Sequence, residues 1–530
     1  MSAMLAAAVL LPLFSTAAVT VFGDRGRTWA GRVGVCSTAV SVVLAVAVAV
    51  SVAAGGTVSV GGRRGAGLIF GLYADRLTSL LLLLVLGVSA VVQSFATRYL
   101  RGDSRAWWFF AATGVLTAGS AAMATAGSLI GFAAAWTVSG ASLCALLATY
   151  PHLPAARSGF RRTVLSFVIG DAALWLGVAI TTASFGNLDL RFLSTSLRSV
   201  GATPTTVSVA CLLVVAVLAR CAQWPLQGWL PSTLAAPTPV SALLHAGVVN
   251  AGGVLLTRLT PITGVSSLAT HAAFVAAAAT TLYAASVMTT KPDIKGALAH
   301  STMGQMGFML MACSVGAFGA AIFHLLAHAM YKAALFLGSG GAVARRVRHR
   351  RAVPTPGLSA RGRQVATASA VALAAVGLLA AGVLIRPHLS GVTGTWPLLI
   401  FAFASIAAAL SGWLPRHFTP AALAAAALGA FAVSCGYLAA AGAVTSYLRP
   451  ALHNAAAPVS PWYLVAVAGG LTVLLALITG RRRRELNWVK SMYVAALGAG
   501  YINSDRKPGR PTTPSNFPNY PAPALSKELV

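Results

Sequence analysis

The stretch "AQWPLQGWLPSTLAAPTPVS" (residues 222–241) decides how this sequence is read. Apolar runs flank it on both sides, yet Pro225, Pro231, Pro237 and Pro239 interrupt what would otherwise be one long hydrophobic region. Proline lacks a backbone N–H and breaks helices. At membrane depth, irregular backbone is tolerated only where it is buried in protein or lines a wet cavity, and such breaks often mark ion sites. The segment predicts a membrane protein with a broken helix near 220–240.

The surrounding sequence supports that reading. Of 530 residues, 57% are hydrophobic and only 9% are charged. Runs of about 20 apolar residues, the length of a bilayer-spanning helix, fall at roughly 2–22, 35–54, 77–97, 106–125, 127–149, 163–184, 205–223, 240–258, 268–288, 296–313, 315–338, 365–385, 396–414, 420–442 and 461–479. The expectation is an all-α polytopic membrane protein of 13–15 transmembrane helices. Met1 to Val21 has no basic start and no small-residue cleavage pattern, so it reads as a retained helix and not a signal peptide. Four segments are expected: N-terminal helices at 1–100, a core at 101–345, C-terminal helices at 346–480, and a tail at 481–530, partner-binding or disordered.

The formal charge of +29 is nearly all arginine. One set of alternate loops receives Arg25, Arg27, Arg32, Arg98, Arg101, Arg105, Arg157, Arg161, Arg162, Lys291, Lys295, the cluster Arg345 to Arg351, Arg416, and Arg481 to Arg484. The other set receives Arg63, Arg64, Arg76, Arg191, Arg198, Arg258, Arg386 and Arg449. Basic loops stay in the cytoplasm, so the N-terminus is expected outside and the C-terminus inside. The basic balance thus reports topology, not nucleic-acid binding. Six scattered cysteines without a CxxC fit neither a disulfide framework nor a metal set.

Ionisable residues inside spans are costly and are functional candidates by default. Here they are Asp171, Arg220, His245, Lys295, His300, His324, His328 and Lys332. In "HLLAHAMYKAALF" (324–336), His324, His328 and Lys332 recur every fourth residue. Such residues share one helix face within about 80° of arc and form a stripe about 12 Å long. Neutral histidine both donates and accepts, and a buried lysine gives up its proton readily, so the stripe reads as a proton relay. A metal site would need a third ligand and would face repulsion from Lys332. A stripe hydrogen-bonded between helices for structural reasons is the other reading. Arg220 reads either as functional or as a donor to carbonyls freed at the broken helix, with Asp171 as its partner or another cation's. Lys295 and His300, near the end of a span, read as snorkelling or functional.

Three stretches, "PLQGWLPSTLAAPTPVSALLHAG" (225–247), "DIKGALAHSTMGQMGF" (293–308) and "FHLLAHAMYKAALFLGSG" (323–340), resemble the antiporter-type subunits of respiratory complex I and of multi-subunit cation/proton antiporters. The resemblance covers about residues 65–345. It implies two inverted five-helix repeats, each with a broken helix, and a central line of charged residues. By resemblance, Arg220 stands at the family's broken-helix lysine and Asp171 at its "GD" position. His245, Lys295, His324, His328 and Lys332 match its polar axis. More narrowly, "HAGVVNAGG" (245–253) and "YVAALGAGYI" (493–502) resemble the DabB family, the membrane subunit of a two-protein inorganic-carbon transporter. That resemblance implies a bacterial cytoplasmic-membrane subunit that conducts protons or another cation. It implies no cofactor in this chain, with zinc in a DabA-like partner. The alternatives are a proton-translocating subunit of a complex I-like oxidoreductase or hydrogenase, a cation/proton antiporter module, or a scaffold with a degenerate channel.

Two departures from the family stand out. Trp136 is followed by Thr137 where the family has a glutamate, and no glutamate lies within any span. The family's second lysine near 380–390 is missing, leaving Arg386 and His388.

Overall fold

The computed structural model describes residues 1–61, 71–186, 189–192, 200–341, 358–389, 396–452, 459–479 and 487–499. Helices dominate. α1 (Ser2–Leu10) passes through a single turn into α2 (Phe14–Ala53). Gly23 divides α2: its φ of 54° and ψ of −126° are open to glycine because it has no Cβ. A Cβ built on Gly34 would stand 3.4 Å from that of Ser15, so the two arms of α2 lie side by side. The span expected at 2–22 is α1 with the first arm, and that expected at 35–54 lies in the second. A short hairpin follows, with β1 (Val58–Val60) antiparallel to β2 (Leu72–Ala74).

Next come α3 (Arg76–Tyr99), α4 (Ala106–Thr125), α5 (Leu129–Leu147), α6 (Pro154–Phe185) and α7 (Pro204–Arg220). Local chemistry sets their starts. Asp75 and Thr203 each form a capping box with the threonine three residues on, satisfying N–H groups that a helix start leaves bare. α7 ends at Arg220, and the proline-rich segment continues as a 3-10 turn at Gln227–Thr233 before α8 (Thr238–Ala246). The break falls where the prolines place it. A second interruption, at Val248–Asn250, separates α8 from α9 (Ala251–Arg258). The apolar run predicts a single span at 240–258. Gly247, with φ −119° and ψ −75°, leaves the helical path there, where glycine holds a helix weakly.

α10 (Ser267–Met288), α11 (Ile294–Ser314), α12 (Phe318–Leu337), α13 (Ala360–Leu389), α14 (Trp396–Trp413), α15 (Pro420–Leu448), α16 (Trp462–Thr479) and α17 (Asn487–Ala499) complete the described chain. Among the described residues, 11 helical stretches are long and apolar enough to cross a membrane, counting α1–α2 as one and α8–α9 as one. α7 and α16 are shorter apolar helices. The protein is an all-α multi-pass membrane protein. Its core sits among α3–α12, where Trp136, Trp229, Phe109, Phe132 and Phe336 are fully buried. The broken span 238–258 is almost wholly enclosed, while α13, α14 and α15 leave most of their surface outside. Val376, Leu379, Val383 and Leu428 face outward there, as suits hydrocarbon.

One loop assignment changes as well. Arg258, counted among loop charges, is 8% exposed and folds back into the protein. Its guanidinium donates to the carbonyls of Met123 (3.3 Å), Ala124 (3.1 Å) and Ala126 (2.6 Å), at the end of α4. It is a cationic cap on a helix C-terminus, which leaves carbonyls unpaired and carries partial negative charge. Within the segment expected at 481–530 as a partner-binding or disordered tail, residues 487–499 form α17 beside α10: the Tyr283 hydroxyl donates to the Ala499 carbonyl at 3.2 Å. Arg63, Arg64, Arg198, Arg345 to Arg351, Arg481 to Arg484 and the tail from 500 lie outside the described residues, as do the side chains of Arg386 and His388.

Candidate ion pathway

Arg220 ends α7 at the break and is 1% exposed. A helix C-terminus favours a cation, and the surroundings complete the arrangement. One guanidinium nitrogen donates to Asp171 Oδ1 at 3.0 Å and to the Trp136 carbonyl at 3.2 Å. Another donates to Ser139 Oγ at 3.4 Å. Trp136 Nε1 donates to the same Asp171 oxygen at 2.9 Å. The guanidinium also lies 4.5 Å from the Trp136 ring centre and 4.3 Å from that of Phe167, within cation–π range.

Two glycines make room for this cluster. A Cβ on Gly140 would fall 2.7 Å from a guanidinium nitrogen, and one on Gly170 would fall 2.6 Å from the Ala219 Cβ. Gly170 thus lets α6 approach α7, and its neighbour Asp171 reaches Arg220. Thr137, at the family's glutamate position, accepts from Trp175 Nε1 at 3.1 Å instead.

The second cluster is built on α12. His324 and His328 lie in near-parallel planes, ring centres 5.8 Å apart and 24° between planes. Among the described residues, neither ring nitrogen of His328 and not Nε2 of His324 has a hydrogen-bond partner. Lys332 is fully buried. Its Nζ points across to α11, donating to Ser301 Oγ at 2.9 Å and to the Leu298 carbonyl at 3.3 Å. The three side chains therefore share a stripe without forming a hydrogen-bonded chain.

His245 stacks on Phe336 (4.4 Å, 12°), one turn beyond Lys332, and its Nδ1 has no hydrogen-bond partner among the described residues. Lys295 Nζ donates to the Ala236 carbonyl at 3.0 Å, tying α11 to the irregular segment. His300 Nδ1 lies 2.8 Å from the Gly296 carbonyl of its own helix. Among the described residues, no group of three His, Cys, Asp or Glu side chains is placed to hold a metal ion.

A cavity of about 60 Å³, bordered by Ser89, Thr117, Ser139 and Asn250, meets the first cluster at Ser139 and α12 at Leu325. That space suffices for water. Asn250 donates to the Ala246 carbonyl at 2.7 Å, while its Oδ1 has no hydrogen-bond partner among the described residues. Ser139, Asn250 and Ser301 join the candidate site only in the structure. Asn250 alone carried a signal, as the polar residue within "HAGVVNAGG". The two serines show their importance only once helices pack.

The structure joins Arg220 to Asp171 and groups His324, His328 and Lys332. Lys295 is held at the broken helix and His245 against Phe336, neither hydrogen-bonded to the α12 stripe.

The family described as "NADH:quinone oxidoreductase/Mrp antiporter, TM" matches residues 126–411, more than half of the chain. The one described as "NADH-Ubiquinone oxidoreductase (complex I), chain 5 N-terminus" matches residues 65–110. The chain is 36% identical over 341 residues to the probable inorganic carbon transporter subunit DabB1 of Halothiobacillus neapolitanus, covering 63% of this chain and 60% of that protein. It is 38% identical over 279 residues to the probable inorganic carbon transporter subunit DabB of Bacillus subtilis, covering 52% and 54%. The chain thus spans little more than half the length of these relatives. The Mrp complex from a Dietzia species superposes with a TM-score of 0.59 and 23% identity, over 94% of this chain and 59% of that one, which shows a shared fold. The chain belongs to the NADH:quinone oxidoreductase/Mrp antiporter membrane family and is a DabB-like member of it.

Proposed function

We propose that this chain is the membrane subunit of an inorganic-carbon uptake complex in a bacterial cytoplasmic membrane, with its N-terminus outside and its C-terminus inside. It conducts protons, or another cation, down their gradient and so drives a DabA-like zinc partner. The chain is a transporter subunit; the zinc and the carbon chemistry belong to the partner. The observation that carries the reading is the buried stripe His324–His328–Lys332, three titratable side chains one turn apart in a membrane-spanning helix. Buried ionisable groups in spans are costly and mark ion routes, and the DabB relatives supply the substrate class. Arg220, Asp171, His245 and Lys295 complete the proposed pathway. Arg220 acts as a fixed charge, because arginine keeps its proton.

The test is purification of the native complex through this chain. One large zinc-carrying partner supports the proposal. Recovery of many small membrane subunits with flavin or iron–sulfur cofactors refutes it and favours a complex I-like subunit, the reading to which the match at residues 65–110 lends weight.

A further inference from the structure

A second and much larger cavity, of about 760 Å³, lies between α10, α11, α14 and α16. It follows one face of α11 from Asp293 to Met311, a run of about 27 Å at the helical rise. One end is polar, at Lys291 and Asp293 in the α10–α11 connection. Ser301, which holds Lys332 Nζ, borders the cavity part-way along. Phe308 of α11 and Phe401 of α14 border it further on, whereas His324 does not.

The two rings meet each other with centres 5.4 Å apart. Both also meet His324: Phe308 at 5.0 Å and 64°, Phe401 at 4.8 Å and 83°. His324 is thus covered by aromatic carbon on the side where the cavity comes nearest. We propose that Phe308 and Phe401 form an aromatic gate between this cavity and His324.

The proposal rests on the relay reading of the α12 stripe and adds a direction to it. A hydrophobic constriction blocks conduction by excluding water. With the gate shut, the cavity reaches the stripe through Ser301 at Lys332, and a proton must pass His328 before it reaches His324. With either ring removed, the cavity runs directly to His324 and bypasses Lys332. Phe401 is only partly buried, on a helix with much of its surface outside the core, so its ring has room to swing.

The test uses the whole complex, purified through this chain and reconstituted into phosphatidylethanolamine–phosphatidylglycerol vesicles holding a pH-sensitive dye. An imposed pH gradient drives flux. Phe401→Ala and Phe308→Ala should each raise proton flux about tenfold by opening a wet path past the constriction. The leak should persist in Phe401→Ala/Lys332→Ala and vanish in Phe401→Ala/His324→Ala. Val467→Ala, on the α16 wall, enlarges the cavity while leaving both rings in place and should not leak. If both phenylalanine variants stay as tight as the parent while Lys332→Ala abolishes flux, the gate is wrong and the relay stands. If the Phe401→Ala leak ignores His324→Ala, the gate as proposed is overturned, since the path then opens elsewhere. If alanine at 324, 328 and 332 each leaves the parent's flux intact, the relay reading itself fails.

Discussion

Arg220 and Asp171 form a salt bridge at 3.0 Å, with side chains 1% and 18% exposed, at the point where the chain leaves helix α7. Trp136 sits on both partners: its carbonyl accepts from Arg220, its indole donates to Asp171, and its ring faces the guanidinium. Breaking a buried pair by removing one partner costs about 3–5 kcal/mol, because the other charge stays behind unpaired. Asp171→Ala should therefore lower the thermal unfolding midpoint sharply. The double variant Arg220→Met/Asp171→Leu should be milder than Asp171→Ala alone. Unfolding in detergent, followed by intrinsic fluorescence, checks the order. A double variant less stable than Asp171→Ala would show that the pair contributes more than mutual neutralisation.

Gly140 offers a subtler probe of the same site. A methyl group there would press on the guanidinium at 2.7 Å. Overpacking of this kind costs about 1–3 kcal/mol. Gly140→Ala should lower stability and displace Arg220 from Ser139 and Trp136. Gly429→Ala, where a Cβ meets nothing within 4 Å among the described residues, should not destabilise. Equal destabilisation by both would trace the effect to backbone freedom instead of contact.

The contrast between these positions shows what the sequence makes legible. Helices and their break follow from local chemistry: apolar runs, capping residues at Asp75 and Thr203, and the prolines after Arg220. The α12 stripe is equally local, because its four-residue spacing lies on one helix. The pairing of Arg220 with Asp171 was open in the sequence, since each was a lone charge needing a partner. Contacts between helices are different in kind. That Lys332 would turn to Ser301 on α11 depends on how two helices pack, and Ser301 carries no pattern of its own. Arg258 misled for a related reason. At the end of an apolar run, hydropathy cannot separate an arginine in a loop from one folded back onto carbonyls. Gly247 is ambiguous likewise, since a glycine inside an apolar run is often tolerated by an unbroken helix.

Arg258 yields a prediction that separates stability from transport. Its guanidinium serves three carbonyls at the end of α4. Each buried acceptor left unpaired costs about 1–3 kcal/mol. Arg258→Met keeps much of the bulk and removes the donors, so it should reduce the amount of folded protein in the membrane. Flux per folded molecule should stay at the parent value. A fall in flux per molecule with abundance unchanged would move Arg258 into the pathway.

The α12 stripe supports the most decisive prediction. Lys332 Nζ is held by Ser301 Oγ and the Leu298 carbonyl, and His328 has no hydrogen-bond partner among the described residues. Two of the three ammonium N–H donors are taken by these acceptors, so a proton passes to His328 through the third or through an intervening water. Ser301 thus sets how tightly the lysine is held. Lys332→Ala and His328→Ala should each abolish growth in a strain that depends on carbon uptake in ambient CO2, without lowering protein abundance. His324→Ala, at the far end, should leave partial growth. Ser301→Ala removes one acceptor and keeps the Leu298 carbonyl, so it should change the rate several-fold and spare the fold, in line with about 1 kcal/mol for a hydrogen bond. A purely structural stripe predicts another pattern, in which growth tracks abundance in every variant. Membrane blots beside growth curves distinguish the two, and abundance falling in parallel with growth at 324, 328 and 332 would remove the relay from consideration.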